Sequence, residues 1–283
     1  MASSQNFSTK LTLYLSLIIV IFTLFLNSMA EAHSKKPKVS IFNNKQELAI
    51  SLAEYTANLS EKFIKEKGIF TVVLSGGYLI DFLWKLKEAP YVESIDWSKW
   101  HVFWVDERVV PRDHPDSNYN LAFNGFLSKV PILIGNVYAI NDALSTEGAA
   151  ENYEARLKEL VKNKVIATSS TGFPKFDLML LGMGPDGHVA SLFPGHPQRY
   201  EHKKWVTFIK DSPKPPPNRI TFTFPVINSA SYNAFVMSGS GEVEAVKKVL
   251  GPKPSGEPVP GRMVSAEVEV KWFLDKEAAA LLK

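Results

Sequence analysis

Asp186, Gly187 and His188 stand in the stretch "DLMLLGMGPDGHVASLFPG", residues 177–195, where an apolar run meets glycines at 182, 184 and 187. An imidazole takes up a proton near neutral pH, which makes His188 the strongest candidate general base in the chain. A lone histidine is usually a packed structural residue. This one lies in a backbone-permissive loop, where no packing demand explains it, and Asp186 flanks it.

Two further short motifs follow apolar runs. Ser75-Gly76-Gly77 comes directly after "IFTVVL" and before a helical pattern. Small residues let backbone N–H groups approach a phosphate, and a helix start adds partial positive charge, although a plain tight turn uses the same residues. Asp106-Glu107-Arg108 follows "WHVFWV". A charged triplet is commonly a solvated turn, but at a strand end the Arg108 guanidinium suits bidentate phosphate binding, with Asp106 beside it.

Other chemistries lack their residues. The chain has no cysteine, no G-x-S-x-G, no HExxH and no P-loop, and Ser75-Gly76-Gly77 does not spell a dinucleotide fingerprint. His196 and His202 have no metal-ligand spacing, so neither a metal nor a cofactor is expected. A phosphate site plus a general base points to hydrolysis or isomerisation of a small phosphorylated compound.

The elements that must position these groups alternate. The expected strands are 39–42, 69–74, 100–105, 176–181, 220–224 and 233–237. Asn44 and Glu47 form a capping-box pattern, after which Leu48, Leu52, Tyr55, Leu59 and Phe63 recur at helical spacing until Gly68. Helices are also expected over 79–86, 148–162 and 242–250, with Asp275 capping a last short helix. This alternation predicts an α/β fold, a Rossmann-like mostly parallel sheet with helices on both faces. In such sheets ligands bind beyond the carboxyl ends of the strands, where all three motifs fall. Lys214-Pro215-Pro216-Pro217 reads as an ordered loop or a lid.

A chain of 283 residues with 45% hydrophobic content can bury a large core, and 32 basic against 29 acidic residues leave a net charge of +3. That balance, with no basic block, argues against nucleic acid as a partner. Residues 11–26 are uncharged and apolar, and small residues follow near Ala30 and Ala32. Residues 1–32 are therefore expected to be a signal peptide or an N-terminal anchor, 33–39 a linker and 40–283 the catalytic domain. A membrane would be met only through an uncleaved leader. The leader suggests the secretory pathway, with cytosol or plastid as alternatives.

Several long motifs occur in one order: "LSGGYLIDFLWKL", "WHVFWVDERVVPRDHPDSNYNLA", "FDLMLLGMGPDGHVASLFPGHP", "RITFTFPVINSA" and "VKWFLDKEAAA". Through them the chain resembles the 6-phosphogluconolactonases, from about Ser40 to its end. The resemblance implies a Rossmann-like fold shared with glucosamine-6-phosphate and ribose-5-phosphate isomerases. It also implies hydrolysis of 6-phosphoglucono-1,5-lactone, without a cofactor, in the oxidative pentose phosphate pathway. By position it gives His188 the role of base, with Asp186 and Asp106 beside it. Ser75, Gly76, Gly77, Arg108, Arg219, Gly184 and Gly187 become substrate- or phosphate-binding residues. The stretch "SGSGEVEAVKKVL" departs from the family's pattern, because Glu242 stands where a phosphate-holding lysine is usual. Arg262 is expected to compensate by reaching Glu242 or the phosphate. A sugar-phosphate-binding pseudoenzyme remains the alternative, and an amino-sugar-phosphate isomerase a weaker one.

Overall fold

The computed structural model describes residues 36–252 and 257–282. The expected leader, 1–32, lies outside the described residues. Among the described residues no helix is long and apolar enough to cross a membrane. From Pro37 onward the chain forms one compact unit.

In chain order the principal elements begin with β1 (Lys38–Phe42), α1 (Lys45–Lys67), β2 (Phe70–Leu74), a 3₁₀ helix (Gly77–Lys87), β3 (Trp100–Trp104) and β4 (Asp106–Arg108). There follow α2 (Asn118–Gly125), α3 (Thr146–Lys162), β5 (Leu178–Leu181), β6 (Val206–Ile209) and β7 (Arg219–Phe222). The chain then forms β8 (Tyr232–Met237), α4 (Val243–Leu250) and β9 (Glu269–Asp275). Six strands make the main sheet in the order β1-β9-β8-β5-β2-β3, and every pairing in it is parallel. The expected mostly parallel α/β fold is therefore the observed one.

The central strands carry unbroken apolar runs because both faces are covered. Val73, Phe103, Met179, Leu181, Phe235 and Trp272 enter the core on one face. Their chain neighbours Val72, Val102, Leu178, Leu180, Ala234 and Phe273 enter the core on the other. Helix α1 seals the second face. Asn44 caps it by accepting the Glu47 N–H at 2.9 Å, and Gly68 ends it in a left-handed conformation with φ of 82°.

The topology puts the strand reversal at β2 and β5. From β2 the chain steps outward to β3, and from β5 it steps the other way through β8 and β9. Such a switch point opens a crevice at the carboxyl ends of the two strands. Ser75 and Gly182 leave those ends tied together, with the Ser75 N–H donating to Leu180 O at 3.0 Å and the Gly182 N–H donating to Ser75 Oγ at 3.2 Å.

Four local expectations are corrected. Asp106-Glu107-Arg108 is a strand, β4, of a second antiparallel sheet ordered β4-β7-β6. The chain turns into it from β3 through Val105, whose carbonyl accepts the Phe222 N–H at 2.7 Å. Residues 79–86 lie within a 3₁₀ rather than an α-helix. Residues 276–281 form consecutive turns instead of a helix, although Asp275 does accept the Ala278 N–H at 2.8 Å. Strand β1 begins at Lys38, inside the stretch expected to be linker.

Candidate active site

A cavity of about 280 Å³ opens at the switch point, lined from several elements. Ser75, Gly76, Gly77 and Tyr78 come from the end of β2 and the start of the 3₁₀ helix, Asp106 and Arg108 from β4, and Asn118 from the start of α2. The loop after β5 supplies Gly182, Met183, Gly184, His188 and Ala190, and the β6–β7 connection with β7 supplies Lys214, Pro215 and Arg219. A larger cavity of about 580 Å³ lies against Arg112, Tyr138 and Arg156. It contains none of the strand-end loops, so the smaller one is the candidate site.

The loop after β5 holds the histidine by close packing. The His188 ring lies over Gly184, where an added Cβ would sit 2.1 Å from Cε1. Only glycine permits that approach. Gly187 adopts φ of 85° and lies against Val259, and its N–H donates to Gly184 O at 2.8 Å. Behind the imidazole lies the buried ring of Phe193, with centroids 4.5 Å apart. His188 Nδ1 meets Asp186 Oδ1 at 2.5 Å, and Lys214 Nζ lies 3.6 Å from the same carboxylate oxygen. Burial acts to raise the Asp186 carboxyl, but the His188 hydrogen bond and charge, with Lys214 and the His188 N–H, outweigh it. They hold the group below the usual carboxylate range. An ionised Asp186 fixes the proton on Nδ1 and leaves Nε2 as the acceptor nitrogen.

Gly76, after β2, serves a different close approach. A Cβ at Gly76 would fall 1.8 Å from Asn118 Oδ1. Asn118 is itself pinned, donating from Nδ2 to Asp106 O at 3.0 Å and from its N–H to Glu107 Oε1 at 2.8 Å. The Asp106 carboxylate accepts the Ser191 hydroxyl at 2.7 Å.

Glu107 carries a role that the sequence did not signal. Its buried carboxylate also accepts the N–H groups of Arg108 and Tyr119, each at 2.7 Å. Burial pushes the carboxyl up to about 7 despite those hydrogen bonds. It clamps the start of α2 instead of facing the cavity. A charged triplet gives no hint of which member turns inward.

Arg108 lines the cavity, donating from one terminal nitrogen to Asp116 O at 2.8 Å, while its buried Nε has no partner. Arg219 also lines it, but its guanidinium is largely occupied by the loop before it. It donates to the carbonyls of Lys214, Pro215 and Pro216 at 2.8, 3.0 and 3.0 Å. Those contacts bring Lys214 to the cavity, a residue that sequence reasoning left in an undecided loop. Its charge next to a proline run was the available signal.

The structure thus brings together His188, Asp106, Ser75, Gly76, Gly77, Arg108, Arg219 and Gly184. Asp186 and Gly187 stand behind His188. Arg262 is not part of the group. Its guanidinium donates to Lys248 O and Gly251 O at 2.9 and 2.7 Å and to Pro252 O at 3.4 Å. It caps the far end of α4, so the expected contact with Glu242 or a phosphate is corrected: the carbonyls at a helix C-terminus attract the cation. Glu242 stays at the near end with Oε2 buried and unpartnered.

The family model described as glucosamine-6-phosphate isomerases/6-phosphogluconolactonase matches residues 43–272. A protein of Oryza sativa subsp. indica named probable 6-phosphogluconolactonase 4, chloroplastic, is 65% identical over 249 residues, 87% of this chain and 77% of that protein. One of Arabidopsis thaliana named 6-phosphogluconolactonase 3, chloroplastic, is 62% identical over 88% of this chain and 76% of that protein. Among solved structures, the 6-phosphogluconolactonase of Trypanosoma brucei superposes with a TM-score of 0.74 at 27% identity, covering 88% of this chain and 100% of that one.

Proposed function

The chain belongs to the family of glucosamine-6-phosphate isomerases and 6-phosphogluconolactonases, and we propose that it hydrolyses 6-phospho-D-glucono-1,5-lactone to 6-phospho-D-gluconate, with His188 as the base. It is an enzyme of the lactonase type, given its identity with curated lactonases over most of its length. The observation that carries the mechanism is the 2.5 Å contact of His188 Nδ1 with Asp186 on a side chain that lines the cavity.

In this reading water attacks the lactone carbonyl carbon while Nε2 takes one of its protons. The tetrahedral oxyanion then collapses, the bond from C1 to the ring oxygen breaks, and the proton on Nε2 passes to that oxygen. Acid–base help of this kind contributes about 10²–10⁴-fold. Asp186 balances the charge on the transient imidazolium. The Arg108 guanidinium and the N–H groups at the start of the 3₁₀ helix supply donors for an oxyanion or a phosphoryl group. Lys214, positioned by Arg219, adds a cation for the tail.

The test is His188→Ala assayed for lactone hydrolysis and for product binding. Turnover should fall by about 10²–10⁴-fold while 6-phosphogluconate still binds; retained turnover would remove His188 from the mechanism. One observation favours the pseudoenzyme alternative, the unpartnered Glu242 carboxylate, and the activity of the unsubstituted chain in the same assay decides it. The hydrolysis is the lactone-opening step of the oxidative pentose phosphate pathway. The chloroplastic names of two relatives support a plastid over the secretory pathway as its place, with residues 1–32 then acting as a transit segment.

A further inference from the structure

Three cations, Arg108, Lys214 and Arg219, line the cavity, and three carboxylates sit on the segments that leave the same end of the sheet. Asp106 is held by Ser191 and Asp186 by His188. Glu242 alone of the three carboxylates has a buried oxygen without a partner. Glu242 closes a short 3₁₀ turn, Ser240–Glu242, that follows β8 and precedes α4. Since β8 adjoins β5 in the parallel sheet, this turn emerges at the same sheet end as the cavity. Burial and then the Glu242 charge push up the Tyr78 hydroxyl, which lines the cavity, and the cavity's Lys214 ammonium pulls on the Glu242 carboxyl. Arg262, the cation expected to compensate it, is engaged at the opposite end of α4.

Lys214 is therefore drawn to two carboxylates before any ligand arrives, Asp186 at 3.6 Å and Glu242 through its charge. A phosphoryl dianion drawn to Lys214 meets the negative charge of Glu242, whose buried oxygen has no hydrogen-bond donor. An uncharged hydroxymethyl group in the same place meets no such repulsion.

We propose that Glu242 is a specificity-determining residue, weakening the cavity's hold on a phosphoryl tail and so admitting aldonolactones whose tail is an uncharged hydroxymethyl group. The proposal rests on the lactonase reading and concerns which lactones that site accepts. Partial burial of Glu242, which pushes its carboxyl up against the opposing pull of Lys214, is consistent with a carboxylate short of counter-charge.

The experiment compares the full chain with Glu242→Gln, and with Glu244→Gln as a control for an exposed charge on the adjoining helix. Steady-state kcat and KM are measured for 6-phosphoglucono-1,5-lactone and for unphosphorylated glucono-1,5-lactone. Calorimetry gives Kd for 6-phosphogluconate and for gluconate. Glu242→Gln should lower KM for the phosphorylated lactone roughly tenfold, the scale of removing one like charge from a half-buried site. Its kcat should stay within about twofold, as for loss of a contact made equally in ground and transition states. KM for the unphosphorylated lactone should not move, and Glu244→Gln should move neither. Equal shifts for both lactones, or none, would overturn the proposal. If the unsubstituted chain turns over neither lactone, the lactonase reading fails on its own. Calorimetry then decides Glu242: tighter binding of 6-phosphogluconate alone supports the assignment, and unchanged binding refutes it.

Discussion

Two glycine-rich corners leave neighbouring strands of the same sheet, and they use their glycines and carboxylates in opposite ways. After β5, Gly184 yields its side-chain space to the His188 ring, and Asp186 is bound to that ring. After β8, an added Cβ at Gly241 would meet nothing within 4 Å, and Glu242 Oε2 is bound to nothing. In one corner the glycine is dictated by a neighbour and the carboxylate is stabilised as an anion. In the other the backbone is unconstrained by packing and the carboxylate is left short of partners. Similar spelling after a strand thus says little until the third dimension supplies what each residue touches.

The contrast can be broken most severely at Gly184. Gly184→Ala should displace the imidazole and lower kcat by about 10²-fold, since a shift of the reacting group by an ångström costs that much. Gly241→Ala should leave kcat and KM within about twofold; an equal effect of the two substitutions, measured in one lactonase assay, would erase the distinction.

A smaller effect comes from Asp186→Asn. The amide can offer its N–H to Nδ1, which moves the ring proton to Nε2 and removes the acceptor. Lactonase assays should show kcat reduced by roughly tenfold or more.

The smallest effects are on stability, and they have opposite signs. Asp186 has a lowered carboxyl, so its contribution is present above the ordinary carboxylate value of about 3.9 and disappears as pH falls through the lowered one. Glu242 has a raised carboxyl, so its ionisation costs stability above the raised value. That cost is relieved as pH falls toward about 4.3, the unfolded value. At neutral pH, melting curves should show Asp186→Asn destabilised and Glu242→Gln raised by about 2 °C. On acidification the Glu242→Gln difference should close first. A Glu242→Gln difference that persists at pH 4 would place its origin elsewhere.

Much of the fold was legible because its determinants are local. Apolar runs of strand length, the Asn44 cap and Gly68 fix β2, β5 and α1 without distant help. The candidate base was legible because a histidine in a glycine loop has few structural uses. What stayed hidden depends on the second sheet. Pairing of β4 with β7 turns Glu107 inward and aims Arg108 at the cavity. The Arg219 guanidinium, reaching back to the carbonyls of 214–216, brings Lys214 to the rim. Neither contact has a periodic trace in the sequence. Arg262 misled for a related reason: proximity along the chain to α4 did not say which end of the helix it would meet.

The Glu107 carboxylate fastens both ends of one excursion of the chain, accepting from the Arg108 N–H on the way out and the Asn118 N–H on the way back. The stretch between them is a handle soldered at both roots to a single buried anchor. Loss of that one carboxylate would therefore loosen both roots together, shifting at a single stroke the arginine and the asparagine that border the cavity.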